Sequence, residues 1–82
     1  MITRGESLKI LVDYDLFGTN VKDNLGVYLK TDQVTNKHLV YFLEIEEWGE
    51  FKDEEVERTD PGEVLPVNKE LVSRIVTMKT TY

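Results

Sequence analysis

The stretch that most constrains this chain is Lys37 to Trp48, KHLVYFLEIEEW, the densest run of β-favouring side chains in its 82 residues. On a pleated strand Leu39, Tyr41, Leu43 and Ile45 share one face, while Val40 and Phe42 share the other and give way to Glu44 and Glu46. A strand apolar on both faces at first and on one face later suits the centre of a small, strongly curved sheet. The run then enters an acidic segment, so whatever surrounds this strand must leave its far end in water.

Two shorter runs alternate in the same way. Ser7 to Val12 sets Leu8, Ile10 and Val12 against Ser7, Lys9 and Leu11, and Leu25 to Thr31 sets Leu25, Val27 and Leu29 against Gly26, Tyr28 and Lys30. Gly5 reads as a bend into the first strand, and Gly26 as a bulge or sharp bend in the second. Asp13 to Asn24 is rich in turn formers but keeps Tyr14, Leu16, Phe17 and Val21, so it is expected to fold back onto the domain. Asp32 to Asn36 is a polar turn into the central strand. Beyond Trp48, Gly49 to Lys52 reads as an edge strand and Asp53 to Gly62 as an acidic loop closed by a turn at Asp60-Pro61-Gly62; a helix over about 46 to 58 is the rival reading. Asn68 to Leu71 suggests one helical turn, Val72 to Met78 a final strand, and Lys79 to Tyr82 a frayed end. The expected core holds Leu8, Ile10, Val27, Leu29, Leu39, Tyr41, Leu43, Leu71 and Val76.

Length bounds this to a single domain over residues 1–82, with a core only just large enough for its chain entropy. There is no cysteine, which removes disulfides, thiolate metal sites and thiol nucleophiles. The first residues carry no apolar leader, so a cytoplasmic protein without membrane insertion is expected. The net charge of −6 is concentrated: residues 44–63 hold ten acids against Lys52 and Arg58. Direct nucleic-acid binding, which needs Lys and Arg on phosphates, is disfavoured.

The order of strand, long loop, strand, turn, strand, edge strand, helical turn and closing strand resembles the Src-homology-3-like barrels. Ile10-Leu11-Val12-Asp13-Tyr14-Asp15 is similar to the Ala-Leu-Tyr-Asp-Tyr opening of that family, and GEVLPVNKELVSRI from Gly62 to Ile75 is similar to its closing Gly-x-x-Pro-x-Asn-Tyr-Val segment, with Lys69 in place of the tyrosine. Trp48 alone stands for the family's tryptophan pair. The resemblance implies an all-β, five-stranded antiparallel barrel with one short helical turn near the C-terminus. Arg4 to Leu11, Gly26-Val27 and Glu70-Leu71-Val72 are also similar to accessory barrel subunits of photosynthetic and other electron-transfer complexes, which dock onto a larger assembly and hold no cofactor themselves.

No nucleophile elbow, phosphate loop or zinc-binding helix motif is present. His38 is the one histidine, and with no partner evident in sequence it reads as a strand residue rather than a general base. No enzyme, metal or cofactor is therefore expected. The acids instead create a field that steers basic partners. The expected function is a non-catalytic interaction module, an accessory or regulatory subunit binding a more basic protein through Glu46, Glu47, Trp48, Glu50, Phe51, Asp53, Glu54, Glu55 and Glu57. Tyr14, Asp15 and Phe17 form a second candidate surface. Two alternatives are an acidic decoy that imitates nucleic acid, as phage inhibitors do, and an adaptor for proline-rich peptides. Sequence leaves the oligomeric state open.

Overall fold

The computed structural model describes residues 2–59 and 64–80, with side chains to Thr77. Among the described residues seven strands and one α-helix follow in the order β1 (Ser7–Ile10), β2 (Asp15–Leu16), β3 (Thr19–Asn20), β4 (Leu25–Thr31), β5 (His38–Phe42), β6 (Glu47–Phe51), β7 (Val56–Arg58) and α1 (Pro66–Thr80). A 3-10 turn over Asp53–Glu55 joins β6 to β7. Five strands form one antiparallel sheet in the order β6-β5-β4-β1-β7, and β2 and β3 form a separate small hairpin. Because β6 and β7 are not paired with each other, the sheet is open rather than a closed barrel.

Alternation along the strands gives the sheet two buried faces. On the inner face Leu8 and Ile10, Tyr28, Val40 and Phe42, and Phe51 form one cluster, with Val56 of the opposite edge packed against it. Residues from both edge strands meet in a single cluster, so the sheet curls around it. The β2–β3 hairpin contributes Leu16, and Val21 beyond it completes the cover, with Tyr14 tilted on Phe51 at 4.7 Å. The segment from Asp13 to Asn24 thus folds back as its apolar residues require, except for Phe17, which is 83% exposed at the hairpin tip with a φ of 49°.

On the outer face Val27, Leu29 and Tyr41 pack against Leu71, Val72 and Ile75 of α1. The expected final strand at Val72 to Met78 is corrected here, and the expected helical turn at Asn68 is the first part of this longer helix. The β-branched residues of this segment favoured a strand by propensity, but its buried residues, Asn68, Leu71, Val72 and Ile75, recur at helical spacing, and Pro66 at its start is pre-set for a first turn. Asn68 anchors that end, donating from Nδ2 to the Gly5 carbonyl at 2.8 Å and to Ser7 Oγ at 3.1 Å. A strand does follow a helical turn, but at Val56–Arg58 after Asp53–Glu55, inside the segment expected to be an acidic loop. The expected turn at Asp60-Pro61-Gly62 and the last residues, Thr81 and Tyr82, lie outside the described residues.

The central run is also corrected. It stops at Phe42, turns through Leu43 to Glu46, where Glu46 has a φ of 51°, and returns as β6. Val40 and Phe42 are buried on one face and Tyr41 on the other, with Leu39 half-buried, so the two-sided burial expected of its first half holds. Leu43, expected in the core, lies in the turn at 49% exposure, and Val76 is half-buried. Gly26 is needed for contact rather than for a bend: a Cβ there would lie 2.2 Å from Val40 Cγ1. The bulge sits further along β4, where Tyr28 faces Val40 but Lys30 faces Leu39.

Candidate functional site

The acidic segment runs over both edge strands of the sheet and the turn between them. Its residues are contiguous in sequence, but β6 and β7 are the two opposite edges of the sheet, and only the 3-10 turn connects them. On the β6 side Trp48 and Glu50 share the outer face with Tyr41 and Leu39, their directly opposed partners. Trp48 is half-buried and meets Tyr41 edge to face at 4.9 Å beside the helix cluster. Glu46 is exposed in the turn and Glu47 half-buried beside it. Both raise the Tyr41 pKa after burial, the larger cause, while Arg74 from α1 opposes them. Phe51 is fully buried on the inner face and supports the surface from beneath instead of forming part of it.

On the other side Asp53, Glu54 and Glu57 are exposed. Glu55 acts locally, where its carboxylate accepts from the Lys52 N–H at 2.7 Å and so closes the 3-10 turn. No Lys or Arg among the described residues reaches ion-pair distance of any acid from Glu44 to Glu57. The second surface is divided, with Tyr14 half-buried on Phe51 while Asp15 and Phe17 face solvent. Asp60 and Glu63 lie outside the described residues.

Among the described residues of the acidic segment, Asp53 is the acid that the fold brings to the histidine. Its Oδ1 lies 2.9 Å from Nε2 of His38, whose Nδ1 lies 2.8 Å from Thr31 Oγ1, which in turn lies 2.6 Å from the Tyr28 hydroxyl. A carboxylate only accepts, so His38 donates from Nε2; in the neutral ring Nδ1 then accepts from Thr31, and Thr31 accepts from Tyr28. His38 is buried, with its ring edge-on to Tyr28 at 5.5 Å. The bulge in β4 makes this chain possible. Strict alternation would send Tyr28 and Thr31 to opposite faces, and the extra residue brings both to the inner face, with Thr31 directly opposite His38.

A second polar anchor stands close by. Glu6, fully buried, receives Arg58 Nε on Oε2 at 2.8 Å, Arg58 Nη2 on Oε1 at 2.7 Å and the Thr3 N–H on Oε1 at 3.0 Å. This two-point pairing holds the Arg58 pKa above its usual value. Between the two networks lies a cavity of about 760 Å³ at the end of the inner face, bordered by Ile2, Arg4, Tyr28, Leu29, Lys30, Thr31, Gln33, His38, Asp53, Val56 and Arg58.

Sequence reasoning could not name this grouping, because partners 15 and 52 residues apart leave no local spacing to read. The signal within reach was the polarity of Glu6, His38 and Asn68 in apolar surroundings. Among the described residues no group of three or more acids and histidines is placed to hold a metal, and no helix is long and apolar enough to cross a membrane. Compared with known proteins, the chain matches no family, no curated protein and no solved structure.

Proposed function

We propose that this protein is a non-catalytic interaction module, an accessory or regulatory subunit that binds a more basic protein through its acidic, Trp48-edged surface. One observation carries the reading: from Glu44 to Glu57 the acids find no Lys or Arg partner among the described residues, so their field is directed at solvent and whatever approaches. Trp48 supplies an apolar edge already fixed against Tyr41, an anchor whose ordering costs little on binding. We also propose a Src-homology-3-like plan. Its supports are the sheet order, the hairpin-bearing loop after β1 and the 3-10 turn before the last strand, with α1 as an addition. The segment from Gly62 to Ile75 that resembled the family's closing motif runs largely into α1, which takes away the support for an adaptor of proline-rich peptides.

The test starts from a partner captured with the intact chain and identified by mass spectrometry. Reversing Glu50, Glu54 and Glu57 to Lys touches exposed acids with no structural role, and should slow association and flatten its dependence on salt. Trp48→Phe keeps an aromatic ring on Tyr41 and should mainly speed dissociation. Unchanged affinity of the triple reversal at low ionic strength would refute the acidic interface. Competition by DNA for the same partner surface would favour the nucleic-acid-mimicking decoy instead.

A further inference from the structure

We propose that the cavity between the Glu6–Arg58 pair and the His38 chain is a binding site for a small molecule bearing one carboxylate on an apolar body. Its volume, about 760 Å³, lies within the usual range for small-molecule sites. The charges that border it decide the class of ligand. Arg58 is matched by Glu6 through two parallel hydrogen bonds, and Asp53 is engaged by His38. Arg4 donates from Nε to the Leu29 carbonyl at 3.3 Å, and neither it nor Lys30, which also borders the cavity, forms an ion pair with a described carboxylate.

Among the described residues Arg4 and Lys30 stand against Asp53, so the cavity carries one net positive charge in a protein whose net charge is −6. Of the two cations Arg4 is the one that can grip a carboxylate at two points: its guanidinium is held at Nε, which leaves both terminal nitrogens to receive it as a fork. The negative exterior disfavours polyanions such as nucleotides, and a single carboxylate satisfies Arg4 without excess. Ile2 and Val56, both packed against the inner cluster, and the ring of Tyr28 provide the apolar wall for the rest of the molecule. The donors of Tyr28, Thr31 and His38 are committed to one another and to Asp53, so the charged end is set by Arg4 and not by that side of the cavity.

Benzoate is the probe and benzamide its uncharged counterpart, titrated into nitrogen-15-labelled protein and followed by amide chemical shifts. Benzoate should give saturable shifts gathered around Arg4, Leu29 and Thr31, with benzamide weaker by at least about tenfold, as expected for loss of a charge-assisted pair. Arg4→Gln, at an exposed position, should weaken benzoate to a similar degree while the remaining spectrum is preserved. Ile2→Glu, which brings a carboxylate to the cavity wall, should abolish binding by an independent route. Absence of saturable shifts, equal binding of benzamide, or undiminished benzoate binding by Arg4→Gln and Ile2→Glu would each overturn the proposal. The reading stands apart from the acidic interface, because a triple reversal at Glu50, Glu54 and Glu57 leaves Arg4 untouched.

Discussion

The two faces of the sheet are closed by different means. The inner face is covered by what the sheet itself brings round: Phe42 and Phe51 edge to face at 5.9 Å, Tyr14 on Phe51, and the hairpin after β1. The outer face depends on a separate element, α1, laid across Val27, Leu29 and Tyr41. The inner face is thus packed by the sheet and its own hairpin, and the outer face by a helix that belongs to neither. The inner face tolerates added bulk poorly, because a Cβ on Gly49 would come within 2.6 Å of the Phe51 ring and one on Gly26 within 2.2 Å of Val40.

This contrast can be broken most severely at Phe51. Phe51→Ala removes a fully buried ring that touches both Tyr14 and Phe42, and a cost of about 3–5 kcal/mol is expected in urea unfolding. A domain of this size holds roughly 5 kcal/mol in all, so the variant should be largely unfolded near room temperature. On the outer face Ile75→Ala is expected to cost less, in the lower part of about 2–5 kcal/mol, since an aliphatic side chain at a two-layer contact leaves a smaller cavity. Far-ultraviolet circular dichroism of that variant should keep its helical component; a parent spectrum with no helical component would contradict α1 altogether.

Leu43 sharpens the comparison from the turn between β5 and β6. Its place in a β-favouring run suggests a core-sized penalty for Leu43→Ala, but at 49% exposure the change should stay within about 0.5 kcal/mol in the same assay. The smallest signal comes from Tyr41 on the outer face, whose pKa is raised by burial and then by Glu46 and Glu47. A phenol that ionises less readily folded than unfolded favours the folded state below the ordinary tyrosine range only as a neutral group does. As pH climbs through that range the unfolded chain ionises first, and stability falls until the folded phenol ionises too. Ring resonances of Tyr41 followed with pH should titrate late. Glu46→Gln should bring the midpoint part of the way back, and Arg74→Gln should move it further up.

What was legible follows the same division. Alternation marked β1, β4 and β5 and the residues Leu8, Ile10, Val27, Leu29 and Tyr41, because a strand writes its two faces into adjacent letters. It failed at α1, where Val72 and Ile75 are buried together although a strand would part them, and β-branched side chains disguised a helical spacing. It failed also at Leu43, where a left-handed Glu46 ends the strand in the middle of an unbroken β-favouring run. The cavity was invisible for another reason. Arg4, His38, Asp53 and Arg58 are ordinary charged letters until sheet order places β7 near the far ends of β4 and β5.

The bulge in β4 has a consequence for how this chain tolerates change in length. A strand is a two-letter frame, and the extra residue between Tyr28 and Lys30 is an insertion that shifts the reading of everything after it. Deleting Leu29 would restore one-to-one pairing to the sheet and keep Thr31 opposite His38 on the inner face, while removing a side chain buried against α1 on the outer face. A single-codon deletion here would therefore spare both the sheet and the hydroxyl link between two strands, whereas deletion of Lys30 or Thr31 itself would put a different residue opposite Leu39 or His38.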